Sequence, residues 1–474
     1  MAGSAAGQLA APDHAAAPGG AALGHVVLTG GGFMADGRLA ELATTAYLYG
    51  FPLVFNLDQV QRYATTGIGS VPAAAYNTFG HARELAGPAD TFVTINNDTV
   101  YSMAQIDLGV GPVLLTVPDT DDRYYVLQLV DAWTNNFAYV GKRATGTGAG
   151  RFLLVPPGWD GEQDGAATVI RFPTRVASIV GRWAVAGPDD LPAVHALQDA
   201  TTLTPVGDPD AVAGGLPQTT STGDEALDFW ERYRAWSQAF PPAERDAALQ
   251  ESFAVLGLTT ATTVGDLDDV ARAVLVQGYA AGQAALGEAL RSGPSPQVNG
   301  WHLTLHAFDY NLDFFEVGTL DDPRWKLTDP RVRIPERAAA AFGGLWGNHG
   351  YEAAYFMVYV DADGEQLDGA NACTLRLSPT PPVGAFWSLT MYDVPSYFLV
   401  ENPIGRYSVG DRTPGLITDP DGGVTIVMSH DRPDAPVNWL PAPAGPFRPI
   451  LRMYTPGQDV IDGTYEVPAI HRAR

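Results

Sequence analysis

Two stretches hold the residue types best suited to chemistry. Residues 94–102, TINNDTVYS, put Asn96, Asn97, Asp98 and Tyr101 at the end of a β-type run. Residues 123–136, RYYVLQLVDAWTNN, set Arg123 before a strand and Asp131, Trp133, Asn135 and Asn136 after it. Amides, carboxylates and a phenol together can both donate to and accept from the hydroxyls and carbonyls of a neutral ligand. Two carboxyls at equivalent strand ends, facing one cavity, would form an acid–base pair if their surroundings separated their pKa values. On that reading Asp98, Asp131 and Tyr101 are the catalytic candidates. Asn96, Asn97, Arg123, Trp133, Asn135 and Asn136 would then hold the substrate. The same residues can instead tie turns through side-chain to backbone hydrogen bonds, with Arg123 neutralising a carboxylate.

The elements that must position these groups read mainly as β. Strands are predicted at Val113–Val117, Tyr124–Val130, Phe152–Val155, Val169–Phe172 and Ser178–Val185, with Gly and Pro between them, as in a sandwich or jelly roll. The strand formers Phe92, Val93 and Ile95 precede the first polar knot. Asp36 is a candidate N-cap for a helix that Gly50-Phe51-Pro52 should interrupt, with a shorter helix resuming to about Arg62. After Gly187-Pro188 the texture turns helical. Leu191–Asp199, Glu225–Phe240 and the Ala-rich Asp266–Arg291, closed by Gly293-Pro294, form a helical insert suited to be a lid, a dimer face or packing. A short helix is predicted at Arg337–Leu345. β character returns at Tyr355–Tyr359, Cys373–Leu377, Ala385–Tyr392, Tyr397–Val400, Val424–Met428 and Ile450–Tyr454.

This gives an α+β chain, mainly β, of two β-sandwich or jelly-roll-like domains with a helical insert between them. The boundaries are a flexible tail over 1–30, an N-terminal β domain over 31–190, the insert over 191–300 and a C-terminal β domain over 301–474.

The 474 residues are too many for one core, and the hydrophobic fraction of 46% suffices for several. The net charge of −25 reflects 28 Lys and Arg against 53 Asp and Glu. Such a field disfavours nucleic acid and anionic membranes. One cysteine, Cys373, rules out an intrachain disulfide and reads as a small buried residue. No apolar run reaches membrane-spanning length, and the basic start of a secretory signal is missing, so a cytoplasmic location is expected.

Other motifs are weaker. His302 and His306, with Asp309 beyond, have helical metal-ligand spacing but no third ligand. Asp361-Ala362-Asp363-Gly364 reads as a hairpin turn, and ATGTGAG (144–150) lacks the Lys of a phosphate loop. Trp387, Tyr392, Asp393, Tyr397, Asn402, Arg406, Asn438, Trp439 and Arg452 suit the aromatic and polar wall of a sugar or neutral-ligand pocket, and suit still better the ordinary core and corners of a β-sandwich. Tyr392 and Trp439 are the binding candidates of such a pocket.

The motifs AYLYGFPLV (46–54), TINNDTVYS (94–102), PVLLTVPDTDDRYYVLQLVDAWTNN (112–136) and VGKRATGTGAGRFLLVPPGW (140–159) resemble the DUF1254 family. AFWSLTMYD (385–393), FLVENPIGRYSVGDRT (398–413), NWLPAPAGPF (438–447) and LRMYTP (451–456) resemble DUF1214. The resemblance implies two β domains joined by a helical segment, and brings no activity or catalytic residues with it. GGLWGNHGYEAAYF (343–356) follows only loosely that family's Asn-then-acidic-then-Tyr pattern.

The functional expectation is an enzyme without a cofactor. It would hydrolyse, isomerise, eliminate or cyclise a neutral small molecule in a pocket of the N-terminal β domain. The alternatives are a carbohydrate- or ligand-binding protein without turnover and a structural or assembly protein, in either case with scope for a homo-oligomer.

Overall fold

The computed structural model describes residues 32–90, 94–162, 165–208, 211–291 and 295–473. The expected tail over 1–30, the strand formers Phe92 and Val93, and the helix stop at Gly293-Pro294 lie outside them.

Among the described residues the first β domain contains nine strands: β1 Phe79–His81, β2 Thr99–Asp107, β3 Val113–Val117, β4 Tyr125–Asp131, β5 Asn136–Gly141, β6 Gly150–Val155, β7 Thr168–Arg171, β8 Val176–Ala184 and β9 Thr202–Pro205. They form two sheets, ordered β1-β2-β8-β4-β5 and β7-β6-β3-β9. Alternation puts Val113, Leu115 and Val117 of β3 on the inner face, opposite Leu127 and Leu129 of β4 and Ile179 and Trp183 of β8, in one shared core.

The second β domain has β10 Gln297–Val298, β11 Trp301–Leu303, β12 Ala353–Val358, β13 Cys373–Leu377, β14 Val383–Asp393, β15 Ser408–Gly410, β16 Val424–Ser429, β17 Asn438–Pro441, β18 Phe447–Pro456 and β19 His471–Arg472. Its sheets are β10-β11-β12-β18-β14-β15 and β17-β16-β13-β19, again closed on a common core that contains buried Cys373. The predicted strand Tyr397–Val400 is absent. β15 pairs Ser388, Leu389 and Thr390, and farther along that edge Leu399 makes only an isolated bridge to Tyr392, because the chain turns back at once, with the Tyr397 N–H on the Asp393 carbonyl and Tyr397 at φ 57°.

The helices form a third layer drawn from distant parts of the chain. α1 (Gly32–Thr65) runs unbroken through Pro52. Pro52 has no N–H to give the carbonyl four residues back. The helix continues because Tyr49, Leu53, Val54 and Leu57 are all buried in the helical core, so packing outweighs the local break. The small helix Lys142–Thr145 (α2) lies in the first β domain. α3 (Leu191–Ala200) sends Val194 into that domain's core. α4 (Glu225–Ala239), α5 (Ala247–Ser252), α6 (Asp269–Arg291) and α7 (Pro330–Gly344) complete the set that packs with α1. The helical layer is therefore not confined to 191–300: its core joins α1, the insert and α7.

α1 and α6 approach closely because α6 presents glycines there. A Cβ on Gly278 would stand 2.4 Å from the Ala43 Cβ, and one on Gly282 would stand 2.3 Å from the Tyr47 ring. Gly278→Val is expected to lower stability by about 1–3 kcal/mol, the range for overpacking a filled contact, and thermal unfolding measures it.

Candidate functional site

β2 and β4 both pair antiparallel with β8, so they run parallel to each other. Asp98 stands just before the start of β2, where its carbonyl accepts the Val185 N–H at 3.3 Å. Asp131 stands at the end of β4, opposite Ala177. From 185 to 177 the extended chain covers roughly 26 Å at about 3.3 Å per residue. The two carboxylates occupy opposite ends of the sheet, and the expected shared cavity does not exist. The starts and ends of two parallel strands cannot meet.

Around Asp98 the side chains tie a turn and join the two β domains. The Asn96 Oδ1 accepts the Asp98 N–H at 2.9 Å, the Thr99 N–H at 3.0 Å and the Thr99 hydroxyl at 3.1 Å. Its Nδ2 donates to the Tyr101 hydroxyl at 2.7 Å, and Asn97 donates to the Ala86 carbonyl. The Asp98 Oδ2 accepts from Ser388 at 2.7 Å and from the Tyr454 hydroxyl at 3.5 Å. Tyr392 donates to the Ile95 carbonyl at 2.6 Å, and Arg412 to the Asp98 carbonyl at 3.1 Å. Arg123 is spent on Asp190 at 2.6 Å and on the Ala184 carbonyl at 2.8 Å. Trp439 donates to Ser429 inside the second domain at 3.0 Å.

The other knot opens onto a cleft. Its lining brings together Tyr49 of α1, Trp133 and Asn135 after β4, Asp246 before α5, Tyr310, Asp313, and Arg333 and Arg337 of α7. The free volume is about 10 Å³, room for a single water. Asp131 stands behind the lining, fully buried. Its Oδ1 accepts the Asn135 N–H and its Oδ2 the Asn135 Nδ2, each at 2.8 Å. Asn135 in turn accepts Arg337 Nη2 at 3.1 Å, and Arg337 Nε donates to Thr134 at 3.2 Å. Trp133 is held by its indole N–H on the Phe240 carbonyl at 2.8 Å, so the insert braces this wall. Asn136 points away, donating to the Gly347 carbonyl at 2.9 Å.

Two donors in the cleft have no acceptor, the Tyr49 hydroxyl and Arg333 Nε. Arg333 otherwise forms a double hydrogen bond with Asp246, at 2.8 and 3.1 Å. Burial raises the Tyr49 phenol well above its ordinary pKa, so it is neutral and a donor. Burial also lifts Asp131 to about 6, against the pull of Arg337 and the Asn135 hydrogen bonds.

Tyr49, Tyr310, Asp246, Arg333 and Arg337 were missed as site residues in the sequence. Tyr49 lies within the AYLYGFPLV motif. Arg333 and Arg337 are four apart, so they share one face of α7. Those were the available signals.

The histidine pair is not assembled. His302 lies on β11 beside Gln297, and His306 bonds Asp309 Oδ2 at 2.6 Å. Among the described residues no cluster of three or more His, Cys, Asp or Glu is placed to hold a metal. Among them, too, no helix is long and apolar enough to cross a membrane. The Asp361 turn is as expected: its Oδ1 accepts the N–H groups of Asp363 and Glu365, both at 3.0 Å.

Two outcomes follow. Asp98→Ala leaves Ser388 without its buried acceptor and should destabilise the fold by about 1–3 kcal/mol, whereas Asp98→Asn keeps an oxygen and costs less; denaturant titration compares them. For Asp131 the folded pKa exceeds the unfolded one. Its contribution is therefore favourable below the unfolded value and is lost as pH rises through the folded value of about 6. The Tm of Asp131→Asn minus that of wild type should thus increase between pH 4 and 7, with a free-energy slope of up to about 1.4 kcal/mol per pH unit.

By sequence, residues 76–205 match the model of a protein of unknown function, DUF1254, and residues 352–458 match that of another, DUF1214. No curated protein matches the chain. The crystal structure of the VPA0106 protein from Vibrio parahaemolyticus is 24% identical, with a TM-score of 0.70 over 92% of this chain and 100% of that one, which shows a shared fold. A putative uncharacterized protein from Burkholderia cenocepacia aligns over 93% of this chain and 96% of its own at 12% identity and a TM-score of 0.43. The chain belongs to the DUF1254/DUF1214 two-domain family, with the first module on the N-terminal β domain and the second on the C-terminal one.

Proposed function

We propose that the protein captures a small, neutral, oxygen-bearing organic molecule in the cleft between the end of β4, α1, the helical insert and α7. The observation that carries this reading is the pair of unsatisfied donors there, the Tyr49 hydroxyl and Arg333 Nε. A buried donor without an acceptor is costly, and a carbonyl, ether or hydroxyl oxygen would satisfy it. The charges suit a neutral guest: Arg245, Arg333 and Arg337 stand against Asp131, Asp246 and Asp313, with Arg245 on Asp313 at 2.7 Å. Trp133 and Tyr310 give flat walls for the ligand's apolar part. The double-sheet domains serve in this reading as jelly-roll-like scaffolds. The insert is the element that moves, since a water-sized cleft must widen to admit a guest.

A second reading, with turnover, is favoured by Asp131. A carboxyl at about pKa 6 close to the cleft has the tuning that acid–base work requires at neutral pH. Tyr49 would then donate to the substrate oxygen on which negative charge develops, beside Arg337. Hydrolysis, isomerisation, elimination and cyclisation all fit such a pair. Asp246 and Asp313 lie in ion pairs, so no lining carboxylate is free to be the base, and capture stands ahead of turnover.

The test is ligand-observed NMR on the full chain with a panel of neutral ketones, lactones and monosaccharides, comparing wild type with Tyr49→Phe. Removing an unsatisfied hydroxyl should leave Tm unchanged or slightly higher, and should weaken binding of any hit by about tenfold, the value of one hydrogen bond. Binding that is indifferent to Tyr49→Phe would move the ligand elsewhere.

A further inference from the structure

The outer face of the second domain's larger sheet, turned away from that domain's core and toward the Asp98 end of the first domain, carries a different set of unsatisfied groups. Across β12, β18 and β14 the register aligns Tyr355, Arg452 and Ser388, and two residues along it aligns Met357, Ile450 and Thr390. The next row pairs Arg448 with Tyr392. Arg448 is 4% exposed, Arg452 3% and Thr390 0%. Arg448 gives Nη1 to the Tyr359 hydroxyl at 2.8 Å, while its Nε and Nη2 have no acceptor. Arg452 gives Nη2 to the Thr94 carbonyl at 2.8 Å, and its Nη1 has none. The Thr390 hydroxyl is unpartnered as well. Among the described residues neither arginine has a carboxylate within ion-pair distance.

Nε and Nη2 form the lateral edge of a guanidinium, two parallel N–H groups spaced for the two oxygens of an oxyanion. Both guanidiniums lie near the Tyr392 ring, with Arg448 Cζ 6.0 Å and Arg452 Cζ 5.5 Å from its centroid, so they can serve one guest. Tyr397 lies 4.2 Å from Arg448 Cζ and Tyr359 5.4 Å, which adds flat aromatic surface. Tyr355, Met357 and Tyr359 are only half-buried along this face, as is Tyr397, so solvent reaches its edge.

We propose that this face is a second binding site, for the carboxylate of a small, flat organic acid. The carboxylate sits on the lateral edge of Arg448, supported by Arg452 Nη1 and the Thr390 hydroxyl, with the ligand's body against Tyr397 and Tyr359. The site belongs to the Asp98 end of the first domain's sheet, where Arg452 holds Thr94, and is separate from the cleft at the Asp131 end. Its acid would be a substrate partner or an effector, and the overall negative field is opposed locally by two buried guanidiniums that are in no ion pair among the described residues, with only the more distant Asp98 carboxylate drawing on Arg452.

The experiment is calorimetric titration of the full chain with sodium benzoate and, separately, with sodium phosphate, at ionic strength held constant with sodium chloride. Saturable benzoate binding is expected, at least tenfold weaker in Arg448→Met, threefold or more weaker in Thr390→Val, and unchanged in Tyr49→Phe. If Arg448→Met does not fold, Thr390→Val decides, because it swaps an unpartnered hydroxyl for a methyl of similar size. Absence of saturable benzoate binding overturns the proposal. So does benzoate binding indifferent to these two variants, or saturation by phosphate alone. Loss in Tyr49→Phe would place benzoate in the cleft and also overturn it.

Discussion

Buried charge without solvent needs partners, and along the seam between the layers this protein supplies them across element boundaries. Arg182 lies inside the molecule and donates to Gln128 at 2.9 Å and to the Trp346 carbonyl at 2.8 Å, so a strand of the first domain grips the segment that follows α7. Arg143 of the first domain pairs with Glu352 of the second, and the Tyr124 hydroxyl joins the same carboxylate at 3.0 Å. His349 lies between Tyr139 and Tyr351, 3.0 and 2.9 Å from their hydroxyls, and burial lowers it to about 3, so it stays neutral there. Arg333 joins α7 to Asp246. Removing one member of such a set strands the rest in a medium of low polarity, so the pairings fix how the layers meet.

With that seam in place, each of the three layers has a distinct role. The first sandwich supplies a rigid sheet with a polar knot at either end. One knot becomes part of the join to the second sandwich, and the other is covered by helices. The second sandwich contributes the arginine-bearing face of β14 and β18. The helical layer completes the cleft because α1, the residues around Asp246 and α7 converge on the loop after β4. Neither group of unsatisfied donors lies within a single element, and both occur where layers meet.

Much of the β architecture was legible beforehand. Val113–Val117 and Cys373–Leu377 have the observed bounds, and most other strands shift by one to three residues, because β-branched runs closed by Gly and Pro leave few alternatives. The unbroken α1 was not legible, since the Pro52 signal is local and the packing that overrides it comes from α4, α6 and α7. Tyr397–Val400 failed because a tight turn after Asp393 holds Tyr397 in a left-handed conformation that a strand cannot use, and only Leu399 bridges β14.

For the site, Trp133 and Asn135 were found by type and position, and both line the cleft. The pairing of Asp98 with Asp131 was not sound, because similar motifs at two strand ends say nothing about direction within a sheet. The sequence by itself determined two β modules, a helical component, the family, and the places where amides, carboxylates and aromatics gather. Those follow from local pattern, which each segment carries in its own residues. Only the tertiary structure decided that one knot is a join and the other a cleft wall, and that Tyr49, Arg333, Arg448 and Arg452 hold unsatisfied donors. Whether a polar group is satisfied depends on its neighbours in space, and those come from residues up to hundreds of positions away.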